Sequence, residues 1–323
     1  MRALVTGIGG QDGSYLAELL LEGGYDVAGT VLGAPEDYPA LEPLRDRIRF
    51  VELDLTDADA VAAVAAELEL DELYHLAAVS FVPAWWEDPV GLTRATTAAT
   101  VSVLEGGRRA RPPARQFHAS SSEIFAGVDE EPQRETTRPV PLTPYGAAKA
   151  FSLHAVQSYR RQYGVHASAG ILFNHESPRR PPHFVTRKIT RAAAAISLGL
   201  EDHLELGNLD SRRDWGFAGD YVRAMQLMLR ADEADDYVVA TGEAHTVREL
   251  AESAFGAVGL DWRDHVRHDE SLGRGPTDAP ALVGDPARAR ERLGWRPQVG
   301  FDELVSMMVQ ADLTLLSYDP ARP

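Results

Sequence analysis

Two hydrophobic rhythms alternate along the chain. Short segments at residues 3–6, 25–30, 48–53, 72–78, 116–120 and 167–173 read as strands, with Ala3 to Thr6 a short buried one. Between them apolar residues fall at helical spacing, as in Leu16, Leu19 and Leu20, then over 58–68, 89–109 and a segment that opens at Tyr145 and stops at Gly164. Strand following helix in this way predicts a doubly wound parallel sheet, an α/β fold of the Rossmann type. After Asn174 the texture changes. Arginine and proline crowd 178–182, helices are expected at 185–198, 218–229, 247–258, 285–293 and 301–316, and one more strand at 237–240. The expected organisation is a large domain over 1–173, which also receives the helix near 218–230 and its adjacent strand, and a smaller α/β lobe over most of 174–323.

Composition narrows the class without naming it. With 44% hydrophobic and 25% charged residues in 323, the chain reads as an ordinary globular protein able to bury a large core. Cysteine is absent, which excludes disulfides, thiolate metal sites and a cysteine nucleophile. His265 and His268 have no third ligand beside them, so no metal is expected. Acidic residues outnumber basic ones 49 to 32, a net charge of −17 that argues against a nucleic-acid surface. An anionic ligand must then find local cations, for which Arg179-Arg180, Arg187-Lys188 and Arg212-Arg213 are the candidates. Met1 runs straight into a strand, with no signal-peptide layout and no apolar run of membrane-spanning length, so a cytoplasmic protein is expected.

Two stretches carry the chemistry. The first strand feeds Gly7-Ile8-Gly9-Gly10-Gln11-Asp12-Gly13 and then a helix, a layout in which small residues let backbone N–H groups approach a pyrophosphate. That makes 1–173 the dinucleotide-binding domain. The second runs from Ser120-Ser121-Ser122-Glu123, after a strand, to Tyr145 and Lys149 on a helix. The i to i+4 spacing puts phenol and ammonium on one helix face, where the ammonium is expected to lower the phenol's pKa and ready it as a base.

The spacing Gly7-x-x-Gly10-x-x-Gly13 with Tyr145-x-x-x-Lys149 resembles the extended branch of the short-chain dehydrogenases/reductases. The likeness narrows at 170–180, 184–190, 207–216 and 240–243, where the chain resembles the GDP-mannose 4,6-dehydratase family, and 284–286 with 293–295 fits the extended branch generally. The resemblance implies cofactor contacts from Gly7, Gly10, Gln11, Asp12, Gly13, Asp54, Leu55, Leu76, Ala77 and Ala78, with Tyr145 and Lys149. It implies a nucleoside-diphosphate sugar as substrate, with Asn174 and Arg213 on the diphosphate and Val185 and Lys188 near the base. Arg274 stands one residue before the expected phosphate-binding position, which Gly275 occupies. In the implied reaction Tyr145 takes the sugar O4 proton, Ser121 hydrogen-bonds that oxygen and Ser122 supports it. Glu123 takes the C5 proton and helps water leave from C6.

Departures from the family pattern matter too. Serine at 121 replaces the usual threonine, and Leu32-Gly33 replaces the basic pair that would meet the 2′-phosphate of NADP, so NAD is expected. The same shortened loop favours a homodimer over a tetramer. Phe81, Trp85 and Trp86 form an aromatic group where the family is more polar, readable as core, as a subunit contact or as a reshaped sugar pocket. A nucleotide-uronic-acid decarboxylase, a 4-epimerase or reductase, and an inactive nucleotide-binding protein remain as alternatives.

Overall fold

The computed structural model describes residues 1–272 and 281–318. Its strands are β1 (Arg2–Thr6), β2 (Asp26–Thr30), β3 (Ile48–Phe50), β4 (Glu72–His75), β5 (Arg115–Ser121), β6 (Ala167–Leu172), β7 (Asn174–Glu176), β8 (Leu204–Leu206), β9 (Arg212–Arg213), β10 (Trp215–Phe217), β11 (Asp236–Val239), β12 (His245–Thr246), β13 (Val266–His268) and β14 (Ala281–Leu282). Its α-helices are α1 (Gln11–Glu22), α2 (Ala58–Glu67), α3 (Ala84–Glu87), α4 (Pro89–Arg109), α5 (Pro144–Tyr163), α6 (Val185–Ser197), α7 (Ala218–Arg230), α8 (Val247–Gly256), α9 (Trp262–His265), α10 (Ala287–Leu293) and α11 (Phe301–Ser317).

Seven parallel strands form one sheet in the order β11-β6-β5-β4-β1-β2-β3. Side chains alternate across it. Ala3 and Val5 pack with Leu16 and Leu20 of α1 and Met225 and Met228 of α7 on one face. Leu4 and Leu73 meet Val61 of α2 and Val103 of α4 on the other, where α5 also lies with Leu153 and Val156 against Ala167 and Ala169. Strand order reverses between β1 and β4, so a crevice opens at their carboxyl ends, the place where this sheet class takes ligands. α7 packs on the large sheet and β11 joins that sheet beside β6.

The remaining C-terminal elements gather around α6, α8 and α11, with Ile189, Leu250, Phe255 and Val305 fully enclosed. A buried charge pair ties this cluster to the crevice. Arg187 of α6 donates from Nε to both oxygens of Asp312 on α11 at 2.8 and 3.0 Å, and Thr190 adds a 2.8 Å bond to the same carboxylate. The guanidinium also donates to the carbonyls of Pro178 and Arg180. Arg187 is thus committed inside the protein and is not available to an anionic ligand, although its sequence made it a candidate. Replacing Asp312 by alanine would strand that cation, a loss of about 3–5 kcal/mol, read as a lower midpoint in urea unfolding.

Several expected elements shift at their ends. The strand expected over 72–78 stops at His75 because Leu76 and Ala77 give their N–H groups to the Thr6 hydroxyl at 3.1 and 3.2 Å instead of to a neighbouring strand. The helix expected from 285 starts at Ala287, since the Asp285 carboxylate accepts the Ala287 N–H at 3.0 Å. His265 closes α9 and His268 lies on β13, each with Nδ1 against a backbone carbonyl.

Candidate active site

β5 carries Ser120 and Ser121 to the crevice. There Ser121 caps a short 3-10 helix, Ser122–Phe125, by accepting the Glu123 N–H at 3.3 Å. Ser122 is buried and Glu123 half-buried. α5 begins with Thr143 capping Gly146 at 3.0 Å and Pro144 in the first turn. Gly146 follows Tyr145 because a Cβ there would stand 2.6 Å from the Glu123 carbonyl oxygen. That close approach lets the start of α5 lie directly on the Ser121–Glu123 turn, and Tyr145 hydrogen-bonds Ser121. One helical turn on, Lys149 donates from Nζ to the Ala119 carbonyl at 2.8 Å, while its own carbonyl accepts the Ser120 hydroxyl at 3.2 Å.

The electrostatics differ from the expected pattern. Burial pushes the Tyr145 phenol up to about 12, with the Ser121 hydrogen bond opposing and the Glu123 carboxylate adding to the rise. Lys149 does not bring it down: its ammonium is held on Ala119, 5.9 Å from the Tyr145 ring centroid. Burial pushes Lys149 itself down to about 8, against the pull of Asp12. Two neutral histidines lie beneath, His75 pushed down to about 3 and His118 also far below its ordinary value, both by burial first.

The Gly-rich turn joins β1 to α1. Gly7 has φ +70°, and a Cβ on it would come within 3.0 Å of the Ala77 backbone, so the two loops at the carboxyl ends of β1 and β4 touch. Gly10 precedes α1 with no side chain capping the helix, which leaves its first N–H groups to face a pyrophosphate. Gln11, Asp12 and Gly13 form the first turn of α1. Leu55, Leu76 and Ala77 are half-buried around the turn's strands, and Ala78 is exposed. At the end of β3, exposed Asp54 folds back on Thr56, accepting its N–H and hydroxyl at 2.8 and 2.7 Å. The donor set fits a dinucleotide.

Asp12 has a partner that local pattern did not reveal. Its carboxylate lies 2.8 Å from His175 Nε2, and His175 Nδ1 lies 2.7 Å from the Phe173 carbonyl. Both ring nitrogens face acceptors, so the imidazole is held as the doubly protonated cation, stacked 4.6 Å above Tyr221. Burial works against both charges, yet the pairing prevails: His175 is held above its ordinary 6.5 and Asp12 below its ordinary 3.8. The stabilisation from His175 is therefore fully present below pH 6.5 and is lost as pH rises through its raised folded value; that from Asp12 is lost as pH falls below 3.8. The stability difference between wild type and His175→Gln should shrink on going from pH 6 to alkaline solution, as measured by urea unfolding across a pH series.

The loop after β7 brings further cations. Arg180 sits 3.0 Å from Glu176 and 3.6 Å above the Phe184 ring, and its charge acts on Asp12, His175 and Tyr145. Arg179 lies 4.0 Å over the Tyr15 ring and reaches Ser14. Both belong to the run 170–180 that carried the resemblance, which is the signal that could have placed them and His175 in the site. Asn174 lies on β7, paired with Trp215 of β10; Arg213 is buried on β9. Val185 opens α6, and Lys188, one turn later, donates to the Glu205 carbonyl at 2.7 Å. Arg274 lies outside the described residues.

A dinucleotide cradle at the sheet's reversal point, with serine, tyrosine and lysine gathered at its inner end, is the arrangement of the extended short-chain dehydrogenases/reductases. Comparison with known proteins agrees. Residues 4–308 match the family model for GDP-mannose 4,6 dehydratase. The chain is 46% identical to GDP-mannose 4,6 dehydratase 1 of Arabidopsis thaliana, covering 97% of this chain and 90% of that protein. It is 41% identical to GDP-mannose 4,6-dehydratase of Yersinia enterocolitica, covering 97% and 94%. A crystal structure of dTDP-glucose 4,6-dehydratase from Streptomyces venezuelae with NAD bound superposes with TM-score 0.84 at 26% identity, covering 96% of each chain. The chain belongs to the GDP-mannose 4,6-dehydratase family and is a nicotinamide-dependent hydro-lyase.

Proposed function

We propose that this chain converts GDP-mannose to the 4-keto-6-deoxy nucleotide sugar, in the cytoplasm and as a homodimer. The observation that carries the reading is Glu123, set by Ser121 beside Tyr145: a plain dehydrogenase or epimerase needs the hydroxyl, phenol and ammonium only. When bound, the nicotinamide cofactor would supply what the side chains lack, a positively charged ring that would favour the phenolate and serve as hydride acceptor and donor between sugar C4 and C6. Tyr145 removes the O4 proton as C4 is oxidised, and Ser121 holds that oxygen. The C4 ketone acidifies C5. Glu123 then takes the C5 proton and delivers a proton to the departing C6 hydroxyl, so one water leaves. Tyr145 gives its proton to C5 as C6 is reduced, which restores both the phenol's starting state and the C5–H bond. Gly7, Gly10, Gln11, Asp12 and Gly13 hold the pyrophosphate side of the cofactor, Asp54 and Leu55 the adenine side, Leu76, Ala77 and Ala78 the middle, and Lys149 the nicotinamide end. Ser122 supports the sugar, Asn174, Arg213 and Arg274 take the diphosphate, and Val185 with Lys188 meets the base. A smaller lobe over most of 174–323 would thus close over the dinucleotide-binding domain.

NAD rather than NADP suits the loop after β2. Leu32 and Gly33 stand where the basic pair would be, Leu32 is open to solvent, and Asp37 is held nearby by the Ala34 N–H at 3.2 Å, so a 2′-phosphate there would meet an acid and lack the pair's charges. One missing charge-assisted contact is worth about 1.5–3 kcal/mol. Cofactor-stripped enzyme should therefore regain activity at an NAD concentration about tenfold or more below that needed of NADP; equal requirement would contradict this. Apolar Val90 on α4 and Phe151 and Tyr163 on α5 are exposed and could meet a second copy.

The test is incubation with a panel of nucleoside-diphosphate sugars followed by mass spectrometry. Loss of one water from GDP-mannose supports the proposal. Loss of carbon dioxide from a uronic acid, or epimerisation without a mass change, would replace it.

A further inference from the structure

The adjacent tryptophans 85 and 86 have opposite fates. Trp86 is exposed, whereas Trp85 is fully enclosed on the four-residue helix α3, with its ring centroid 5.4 Å from that of Tyr145 and the planes 64° apart. Its indole N–H donates to the Val79 carbonyl at 2.7 Å. Val79 follows Ala77 and Ala78 in the loop that leaves β4, the same loop whose Ala77 backbone lies against Gly7. With Val82 and Ala148, Trp85 builds a small apolar cluster separate from the main core, and the only polar side chain in it is Tyr145.

We propose that Trp85 is the positioning residue of this active site: its edge-on contact sets the Tyr145 ring against Ser121 and keeps water from the phenol, while its bond to Val79 locks the cofactor-side loop to the same ring. The proposal rests on Tyr145 being the base of the proposed reaction. Two functions follow from two parts of one side chain. The ring covers Tyr145, and the N–H anchors the loop. The polar groups acting on Tyr145 are Ser121 and Glu123 from the β5 turn, Asp12 from α1, Arg180 from the loop after β7 and Lys149 from α5; the apolar cover is Trp85 with the much smaller Val82 and Ala148, so the indole is its largest part.

Burial is the largest influence on the Tyr145 phenol and pushes it up. Admitting water at Trp85 should therefore move the pH limb governed by Tyr145 toward acid. The experiment compares the holoenzyme with Trp85→Ala, Trp85→Phe and Tyr145→Phe for water loss from GDP-mannose, as kcat against pH, alongside thermal unfolding. In Trp85→Ala the limb should shift down by about one pH unit, with the plateau rate reduced ~10-fold by the loosened ring. Trp85→Phe, which keeps an aromatic cover and loses the N–H, should restore the wild-type limb and lose cofactor affinity. A limb unmoved in Trp85→Ala, with only a lower melting temperature, overturns the proposal. If Trp85→Ala does not fold, a shifted limb in Trp85→Phe overturns it equally, because the ring would then not be what sets the phenol. Turnover surviving in Tyr145→Phe overturns the assignment of the base instead, whatever the Trp85 variants do.

Discussion

Glu123→Gln is expected to lower water loss from GDP-mannose by about 10²–10⁴-fold, the range for removing a positioned acid–base group, while NAD binds as before. Glutamine keeps the size of the side chain and the Ser121–Glu123 turn, whose cap uses the residue's backbone N–H and not its carboxylate. What it loses is the ability to accept the C5 proton. Oxidation at C4, which depends on Tyr145 and Ser121, should continue, so a 4-keto hexose still carrying its C6 hydroxyl can be trapped with borodeuteride. In deuterated solvent its C5 hydrogen should not exchange. Undiminished dehydration would remove Glu123 from the mechanism.

Tyr145→Phe should act earlier and as severely. The phenol is the group that touches the O4 proton in the proposed reaction, and Ser121 alone has no means of accepting it. A loss of about 10²–10⁴-fold is expected, now with no 4-keto sugar trapped at any stage. The change deletes one hydroxyl from a ring held by Val82, Trp85 and Ala148, so unfolding should move little. The two variants thus separate the steps: one stops after C4 oxidation, the other before it.

Much of this was legible in the sequence, for identifiable reasons. Most residues of the large sheet's strands are buried, so β1, β6 and β11 read as mostly apolar runs, although β4 and β5 also bury Glu72, His75, Gln116 and His118; the helices between them show one apolar stripe each. The stretch from Ser121 to Lys149 was legible because its members lie within one strand–turn–helix unit. Other features depend on partners distant in sequence. Arg187 read as a candidate cation for an anionic ligand; its partner Asp312 stands 125 residues away, and no local pattern links them. His175 and Asp12, separated by 163 residues, are the same case. The expectation for the Tyr145 phenol had the wrong sign because helical spacing gives proximity on a face but not burial, and burial dominates here. The segment Pro39–Arg47 winds as a 3-10 helix, with Pro43 inside it removing a backbone donor, and showed no helical stripe beforehand. The paired strands outside the large sheet, two or three residues each, are too short for a period of two to register.

The central claim is an internal redox dehydration, in which the hydrogen removed from C4 reappears at C6 of the same sugar. It is tested most directly by giving the enzyme GDP-mannose deuterated at C4 and locating the label by mass spectrometry and deuterium NMR. The account predicts a product lighter by one water, with the deuterium retained at C6. A product that has lost the label to solvent, or one that keeps the C6 hydroxyl with the label still at C4, would contradict it.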